Sequence, residues 1–135
     1  MVKLPNDGPV VMVDDNQGDL FFIEQCYVTA QLSNPWRSFH RGSDFLALLE
    51  RVKRREEPMP ALVMLDLNMP ALTGLEILQI VRADPYFKNL PVFCVLTSST
   101  DPRDRERAER LSVSGFYNKA DNMENYIAFF QSLAL

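Results

Sequence analysis

The sequence is poor in the residues that most often build soft-metal or redox sites. It contains one histidine, His40, and two cysteines, Cys26 and Cys94, among its 135 residues. A single histidine excludes a histidine-rich metal site within this sequence. Both cysteines lie in apolar stretches and lack the spacing of metal ligands. We therefore expect both thiols to be buried and reduced, which is typical of an intracellular protein.

Long apolar runs and an excess of positive charge are also lacking. No stretch approaches the roughly 18 apolar residues of a membrane-spanning helix, and residues 1–8 lack the apolar segment of a signal peptide. The net charge is -4 and the isoelectric point is about 4.9, which argues against nucleic-acid binding. We therefore expect a cytoplasmic protein with a short N-terminal extension over 1–8 and one domain over 9–135.

The hydrophobic pattern predicts a domain of alternating strands and helices. Apolar residues make up 47% of the chain and charged residues 24%, the composition of a globular domain. Predicted strands cover 10–13, 36–40, 61–65, 91–96 and 114–118, and predicted helices cover 18–32, 43–53, 74–83, about 101–111 and 122–133. Such alternation predicts an α/β domain with a parallel sheet and right-handed crossovers.

Acidic residues follow two of the predicted strands. Asp14 and Asp15 follow the strand over 10–13, and Asp66 follows the strand over 61–65. At about 4 Å and an effective dielectric constant near 20, each like-charge pair costs about 4 kcal/mol. A divalent cation with oxygen ligands would remove that cost. The sequence therefore predicts a site for a hard metal ion, with phosphate chemistry as the second hypothesis.

Two more polar residues end later strands of the predicted sheet. Thr97 follows the fourth strand and Lys119 follows the fifth. In doubly wound sheets, ligands bind beyond the carboxyl ends of the strands, where the strand order reverses. A strand order of 2-1-3-4-5 would bring both residues to the same edge as the three aspartates.

Each of these residues also has a simpler explanation. Residues 14–16 could cap the following helix, and Asp66 could begin a turn before Pro70. Residues 97–100 could form an ordinary polar loop, and Lys119 could be a surface lysine. All four explanations would have to hold at once, so the combined pattern favours a site.

The ordered pattern resembles that of response-regulator receiver domains, over roughly residues 10–133. The matching motifs are Val13-Asp14-Asp15-Asn16, Leu65-Asp66-Leu67-Asn68-Met69-Pro70, Leu96-Thr97-Ser98 and Phe116-Tyr117-Asn118-Lys119. The resemblance implies a flavodoxin-like (βα)5 fold in one domain, with a doubly wound parallel sheet of strand order 2-1-3-4-5. Within the family, the chain looks most similar to stand-alone regulators that include phytochrome-associated ones.

The resemblance implies a phosphoacceptor and a metal site. Asp66 would accept a phosphoryl group from a phosphohistidine of a histidine kinase or phosphotransfer protein. Asp15 and Asp66 would supply carboxylate oxygens to Mg²⁺, and Asn68 its backbone carbonyl. Asp14 would act through a water or a more distant contact. The protein would catalyse its own phosphorylation and dephosphorylation, and would not be an enzyme in the usual sense.

The resemblance also implies a switch that changes a protein-binding surface. Lys119 would pair with Asp66 before transfer and with a phosphate oxygen afterwards, while Thr97 donates its hydroxyl to the phosphate. Phe116 would be the aromatic residue that changes orientation, with Tyr117 on the opposite face of the strand. The output would be contact with a downstream protein target. A homodimer through the strand 4–helix 4–strand 5–helix 5 face stays open.

Two departures from the family pattern leave alternatives open. Ala120 follows Lys119 where the family usually has proline, often with a cis bond that other residues rarely adopt, and the segment 54–60 is longer than usual. One alternative is a receiver-like module that binds partners without phosphorylation. Another is a Mg²⁺-dependent aspartyl-phosphate phosphatase of the dehalogenase type. Those phosphatases usually carry Asp-x-Asp, whereas this sequence has Asp66-Leu67-Asn68.

Overall fold

The computed structural model describes residues 4–96, 101–119 and 122–133. The helices and strands follow one another in the order β1 (Val10–Val13), α1 (Gln17–Ala30), β2 (Trp36–Phe39), α2 (Gly42–Lys53), β3 (Leu62–Asp66), α3 (Gly74–Ala83), a 3-10 turn (Pro85–Phe87), β4 (Val92–Leu96), α4 (Pro102–Arg110), β5 (Gly115–Asn118) and α5 (Met123–Leu133). Among the described residues, the helices are too short or too polar to cross a membrane.

The five strands form one parallel sheet in the order β2-β1-β3-β4-β5. This order confirms the predicted flavodoxin-like topology. In the register of the two central strands, Val13 pairs with Leu65. The residues that follow, Asp14 and Asp66, are therefore neighbours at the carboxyl edge of the sheet.

Helices cover both faces of the sheet, which explains why β1 and β3 are apolar throughout. One core lies between the sheet and helices α2, α3 and α4. The other lies between the sheet and helices α1 and α5. Residues alternate between them along each strand: Val63 and Leu65 face the first core, and Leu62 and Met64 face the second. Cys26 and Cys94 are buried free thiols, as predicted.

Several element boundaries differ from the sequence-based prediction by one or two residues. Helix α1 ends at Ala30 because Gln31 adopts a left-handed conformation (φ 62°) and its backbone N–H donates to the Val28 carbonyl. Strand β3 continues through Asp66, so the carboxylate belongs to the strand itself. The 3-10 turn after α3 was missed, and the Asp84 side chain caps it by accepting from the Tyr86 N–H.

Helix α3 begins in direct contact with the end of β3. A side chain at Gly74 would collide with the backbone carbonyl oxygen of Asp66, and its Cβ would lie 2.8 Å from the Leu67 Cα. The Thr73 side chain accepts from the Glu76 N–H, and the Glu76 carboxylate accepts from the Thr73 N–H. These contacts fix the helix N-terminus against the backbone that carries Asp66.

Candidate functional site

Three carboxylates converge at the carboxyl edge of the sheet. One oxygen from each of Asp14, Asp15 and Asp66 lies within 4.8 Å of the others. Asp14 and Asp66 are buried, with relative exposures of 0% and 1%, and Asp15 is exposed. The sheet topology therefore brings together the three aspartates that the sequence singled out.

Backbone N–H groups hold the two buried carboxylates in place. The Asn16 N–H donates to Asp14 Oδ1 and the Asn68 N–H donates to Asp66 Oδ1, each at 2.9 Å. The Asn16 side chain also caps α1, because its Oδ1 accepts from the Asp19 N–H at 3.0 Å. Capping and turn formation therefore occur at the same residues that converge on the site, and the two explanations do not exclude each other.

Lys119, at the end of β5, is paired with three carboxylates. Its Nζ lies 2.9 Å from Asp14 Oδ2, 2.9 Å from Asp19 Oδ2 and 3.2 Å from Asp66 Oδ2. A lysine ammonium group has three hydrogens to donate, and here three carboxylates surround it. The contact between Lys119 and Asp66 was expected from the sequence. The contact between Lys119 and Asp14 arises because both residues follow strands that end at the same edge of the sheet.

Asp19 is the site residue that sequence reasoning missed. It lies in the first turn of α1, four residues after Asp15, where an acidic side chain commonly stabilises the positive end of the helix dipole. This role alone explains an aspartate at that position, so the sequence gives no separate indication that Asp19 pairs with Lys119. The fold explains the pairing, because α1 starts at the same edge of the sheet where the strands end.

Burial and neighbouring charges set the protonation of the site. Burial raises the pKa of Asp14 to about 6, the Asp66 charge adds to that rise, and hydrogen bonds from the Asn16 N–H and from Lys119 oppose it. Burial lowers the pKa of Lys119, but its hydrogen bonds to Asp14 and Asp19, together with attraction to the charges of Asp14 and Asp66, raise the pKa overall. At neutral pH one ammonium group therefore faces several carboxylates.

The donor set fits a hard divalent cation such as Mg²⁺. The ligand atoms are oxygens, which Mg²⁺ prefers, and three of them already lie together. The carboxylates at this edge carry more negative charge than the single positive charge of Lys119 can neutralise. A bound divalent cation would offset the excess, so the chemistry of this edge agrees with the metal predicted from the sequence.

The other predicted residues that the structure describes have different surroundings. Asn68 is exposed and is connected to Asp66 through its backbone N–H. Phe116 is half-buried against the α2–α3–α4 core, and the guanidinium carbon of Arg105 lies 4.4 Å from its ring centre. Tyr117 packs against the opposite core, as predicted.

Three residues named in the sequence-based prediction lie outside the described residues. They are Thr97, predicted to bind the phosphate and act in the switch, Ser98, which follows it in the motif, and Ala120, which follows Lys119 in place of the usual proline. Their proposed roles stay predictions. Lys119 itself is described, and it lies beside the acceptor carboxylate.

Comparison with known proteins gives consistent matches over most of the chain. A family model described as "Response regulator receiver domain" matches residues 10–130. The response regulator Rcp1 of Synechocystis sp. is 26% identical over 125 residues, covering 92% of this chain and 84% of Rcp1.

Solved structures show the same fold. The bacteriophytochrome response regulator RtBRR has a TM-score of 0.76 at 30% identity, covering 98% of this chain and 78% of that one. The Mn²⁺-bound form of Rcp1 has a TM-score of 0.77 at 24% identity, covering 92% and 89%. The second of these supports the fold alone because its identity is low.

Proposed function

The chain belongs to the response regulator receiver domain family, and we propose that its Asp66 accepts a phosphoryl group from a phosphohistidine of a histidine kinase or phosphotransfer protein. Receiver domains act in two-component signalling and are not enzymes in the usual sense. The observation that carries the proposal is the Asp66 carboxylate, buried at the end of β3, with Asn68 N–H on one oxygen and Lys119 Nζ on the other.

The proposed transfer needs one nucleophile and good charge neutralisation. One oxygen of the Asp66 carboxylate attacks the phosphorus and a P–O bond forms while the P–N bond of the phosphohistidine breaks. The imidazole of the donor keeps the electron pair of that bond and leaves. Phosphoryl transfer depends mainly on positioning and electrostatics, and Lys119 lies 3.2 Å from the acceptor oxygen. Hydrolysis of the acyl phosphate by water would reset the protein.

We assign the metal to the aspartate cluster at the sheet edge. Asp15, Asp66 and the backbone carbonyl of Asn68 would hold Mg²⁺, with Asp14 acting through a water. When bound, Mg²⁺ supplies positive charge that offsets the carboxylates and the transferred group. The convergence of the three carboxylates within 4.8 Å supports this assignment. Asp14 Oδ1 accepts from the Asn16 N–H, whereas the buried Asp14 Oδ2 contacts Lys119 as an ion pair and has no well-aligned hydrogen-bond donor among the described residues. Asp14 Oδ2 could therefore accept from a water bound to the metal, which suits an indirect role.

The output would be a change in protein contacts on the side of β4, α4, β5 and α5. Thr97 and Phe116 would couple the phosphate to that surface, and a downstream protein target, or a second copy of the chain, would bind there. Packing supports this location: the residues of β5 are half-buried or exposed, and Ala108 is the buried residue of α4. A cytoplasmic location belongs to the same proposal.

Intact mass spectrometry with Mg²⁺ and acetyl phosphate tests the acceptor. We expect one added phosphoryl group on the wild type and none on Asp66→Asn. Asp44→Asn is the matched control, because Asp44 is an exposed aspartate in the first turn of α2, and it should be labelled like the wild type. Equal labelling of wild type and Asp66→Asn would refute the acceptor.

One other outcome would favour the second candidate function. If Mg²⁺ binds but neither acetyl phosphate nor a phosphorylated histidine donor labels the wild type, the phosphorylation-independent binding module becomes the better description. Ala120, in place of the proline usual in the family, is the sequence feature that favours it. Restoring proline with Ala120→Pro would then be the next variant to label.

A further inference from the structure

Asp19 is a partner of Lys119 that the proposed reaction does not use. The two side chains lie 2.9 Å apart, as close as Lys119 and Asp14 and closer than Lys119 and Asp66. Asp19 differs from the other two in burial. Its side chain is 41% exposed, whereas those of Asp14 and Asp66 are 0% and 1% exposed.

Asp19 closes a ring of contacts around the start of α1. Asp14 Oδ1 accepts from the Asn16 N–H, Asn16 Oδ1 accepts from the Asp19 N–H, and Asp19 Oδ2 pairs with Lys119. Lys119 completes the ring through Asp14 Oδ2. The first turn of α1 is thereby joined to the end of β5 without involving Asp66. The position of the lysine is fixed by two elements at once.

A phosphoryl group on Asp66 would change the demands on Lys119. The phosphoryl oxygens would lie beyond the carboxylate, so Lys119 Nζ would have to move to donate to them. In the resting protein Nζ is already ion-paired with three carboxylates. Releasing Asp14 would leave a buried charge without its partner, which is strongly unfavourable. Releasing Asp19 costs little, because water can solvate a half-exposed carboxylate. Asp19 is therefore the partner whose contact with Lys119 is lost most easily.

We propose that Asp19 is a positioning residue that holds Lys119 in the resting state and competes with the phosphoryl group for it. This inference rests on the proposed function of Asp66. By stabilising the resting contacts of Lys119, Asp19 lowers the affinity of the site for an anionic group on the acceptor. Its replacement therefore favours the phosphorylated state.

Binding of beryllofluoride in the presence of Mg²⁺ tests the proposal, because this anion mimics a phosphoryl group on a carboxylate. We expect Asp19→Asn to bind it roughly two- to fivefold more tightly than the wild type, the range expected for one half-exposed ion pair. Glu24→Gln is the matched control: it removes the same charge from α1 at a residue outside the described partners of Lys119. Its affinity should equal that of the wild type.

A double-mutant cycle separates competition for Lys119 from a general effect of charge. In a Lys119→Gln background, Asp19→Asn should leave beryllofluoride affinity unchanged. An equal gain in both backgrounds would overturn the proposal. If Lys119→Gln binds too weakly to measure or fails to fold, the ¹⁵N signal of the Lys119 ammonium group decides. It should shift in Asp19→Asn and not in Glu24→Gln, and an unshifted signal would overturn the proposal.

The outcomes also distinguish the inference from the function on which it rests. A wild type that binds Mg²⁺ but no beryllofluoride contradicts the proposed function, and the inference is lost with it. A wild type that binds beryllofluoride with the same affinity as Asp19→Asn contradicts the inference alone. Tighter binding by Asp19→Asn that depends on Lys119 supports both.

Discussion

The middle of the sheet and its β5 edge are built in different ways. Every residue of β1 and β3 is buried, whereas the residues of β5 are half-buried or exposed. The covering helices differ in the same sense. Helix α1 buries Leu20, Ile23, Cys26, Tyr27 and Ala30, and α4 consists mostly of charged residues and buries Ala108.

This difference separates the two tasks that the proposed function requires. The acceptor Asp66 and the buried Asp14 extend from the tightly packed strands, where a reacting group has to keep its position. Lys119 and Phe116 belong to the less buried edge, where local rearrangement costs less free energy. In the proposed function, the site would therefore join a tightly packed part of the molecule to a less buried part, where a change in packing would cost less. The predictions below test this contrast, from the largest effect to the smallest.

Shortening matched leucines in the two regions should give the largest contrast. Leu78 is fully buried in α3, and Leu111, just after α4, is partly buried against the same core. We expect Leu78→Ala to lower the free energy of unfolding by about 3 kcal/mol or more and Leu111→Ala by about 1 kcal/mol. Urea unfolding of both variants measures this, and equal losses would show that the two regions are packed equally well.

Replacing Asp14 should stabilise the metal-free protein near neutral pH. Because its pKa is raised from 3.8 to about 6, the stability from protonated Asp14 is fully present below about pH 4 and lost as the pH rises through about 6. The unfolding free energy of Asp14→Asn, relative to that of the wild type, should therefore rise by roughly 2 kcal/mol from pH 4 to pH 7. Mg²⁺ should reduce that gain.

The exposed neighbour provides the control for Asp14. Asp15→Asn removes the same charge from the same loop at a residue that water already reaches. If the unfolding free energy of Asp15→Asn rose by a similar amount with the same pH dependence, the cause would be the loss of negative charge and not the burial of Asp14.

Adding one methyl group at Gly74 should disturb the acceptor strand. The new Cβ would collide with the Asp66 carbonyl oxygen, so we expect Gly74→Ala to lower the unfolding free energy by about 2 kcal/mol and to slow labelling of Asp66. Gly18→Ala is the matched control, because its Cβ would meet only the Asn16 side chain, at 3.2 Å, and alanine favours helix α1. Equal losses of stability would refute the close contact between β3 and α3.

Removing the cation over Phe116 should give the smallest effect. The Arg105 guanidinium lies over the Phe116 ring at 4.4 Å, a contact worth about 0.5–1 kcal/mol when exposed. We expect Arg105→Ala to lower the unfolding free energy by that amount. Arg103→Ala, which removes an 80% exposed arginine of the same helix, should change it less. Thermal unfolding of the two variants compares them, and a larger loss in Arg103→Ala would contradict the contact.

The sequence carried most of the information on the fold because buried strands have to be apolar. The central strands of a doubly wound sheet read as continuous apolar runs, so β1, β3 and β4 were located to within one residue. Helix starts followed from capping residues such as Asp101 before Pro102. The strand order came from the resemblance, and the sheet topology agrees with it.

Features that depend on side-chain packing between distant elements could not be read from the sequence. The pairing of Asp19 with Lys119 joins α1 to β5, and it requires both the strand order and the rotation of the helix. The complete burial of Asp14 depends on how closely its neighbours approach, since its position alone predicts only the edge of the sheet. The left-handed conformation at the end of α1 could not be predicted either, because it usually occurs at glycine and this position is Gln31.

The connectivity of the sheet also determines when the charged edge becomes complete during synthesis. Asp66 and Lys119 are separated by 53 residues, and the acidic residues emerge from the ribosome well before the lysine. Contacts of such long range form late in folding. A nascent chain that ends before β5 would carry repelling carboxylates without their counter-ion. We therefore expect the domain to resist stable folding until β5 has been synthesised, because only then can Lys119 neutralise the carboxylates at the edge of the sheet.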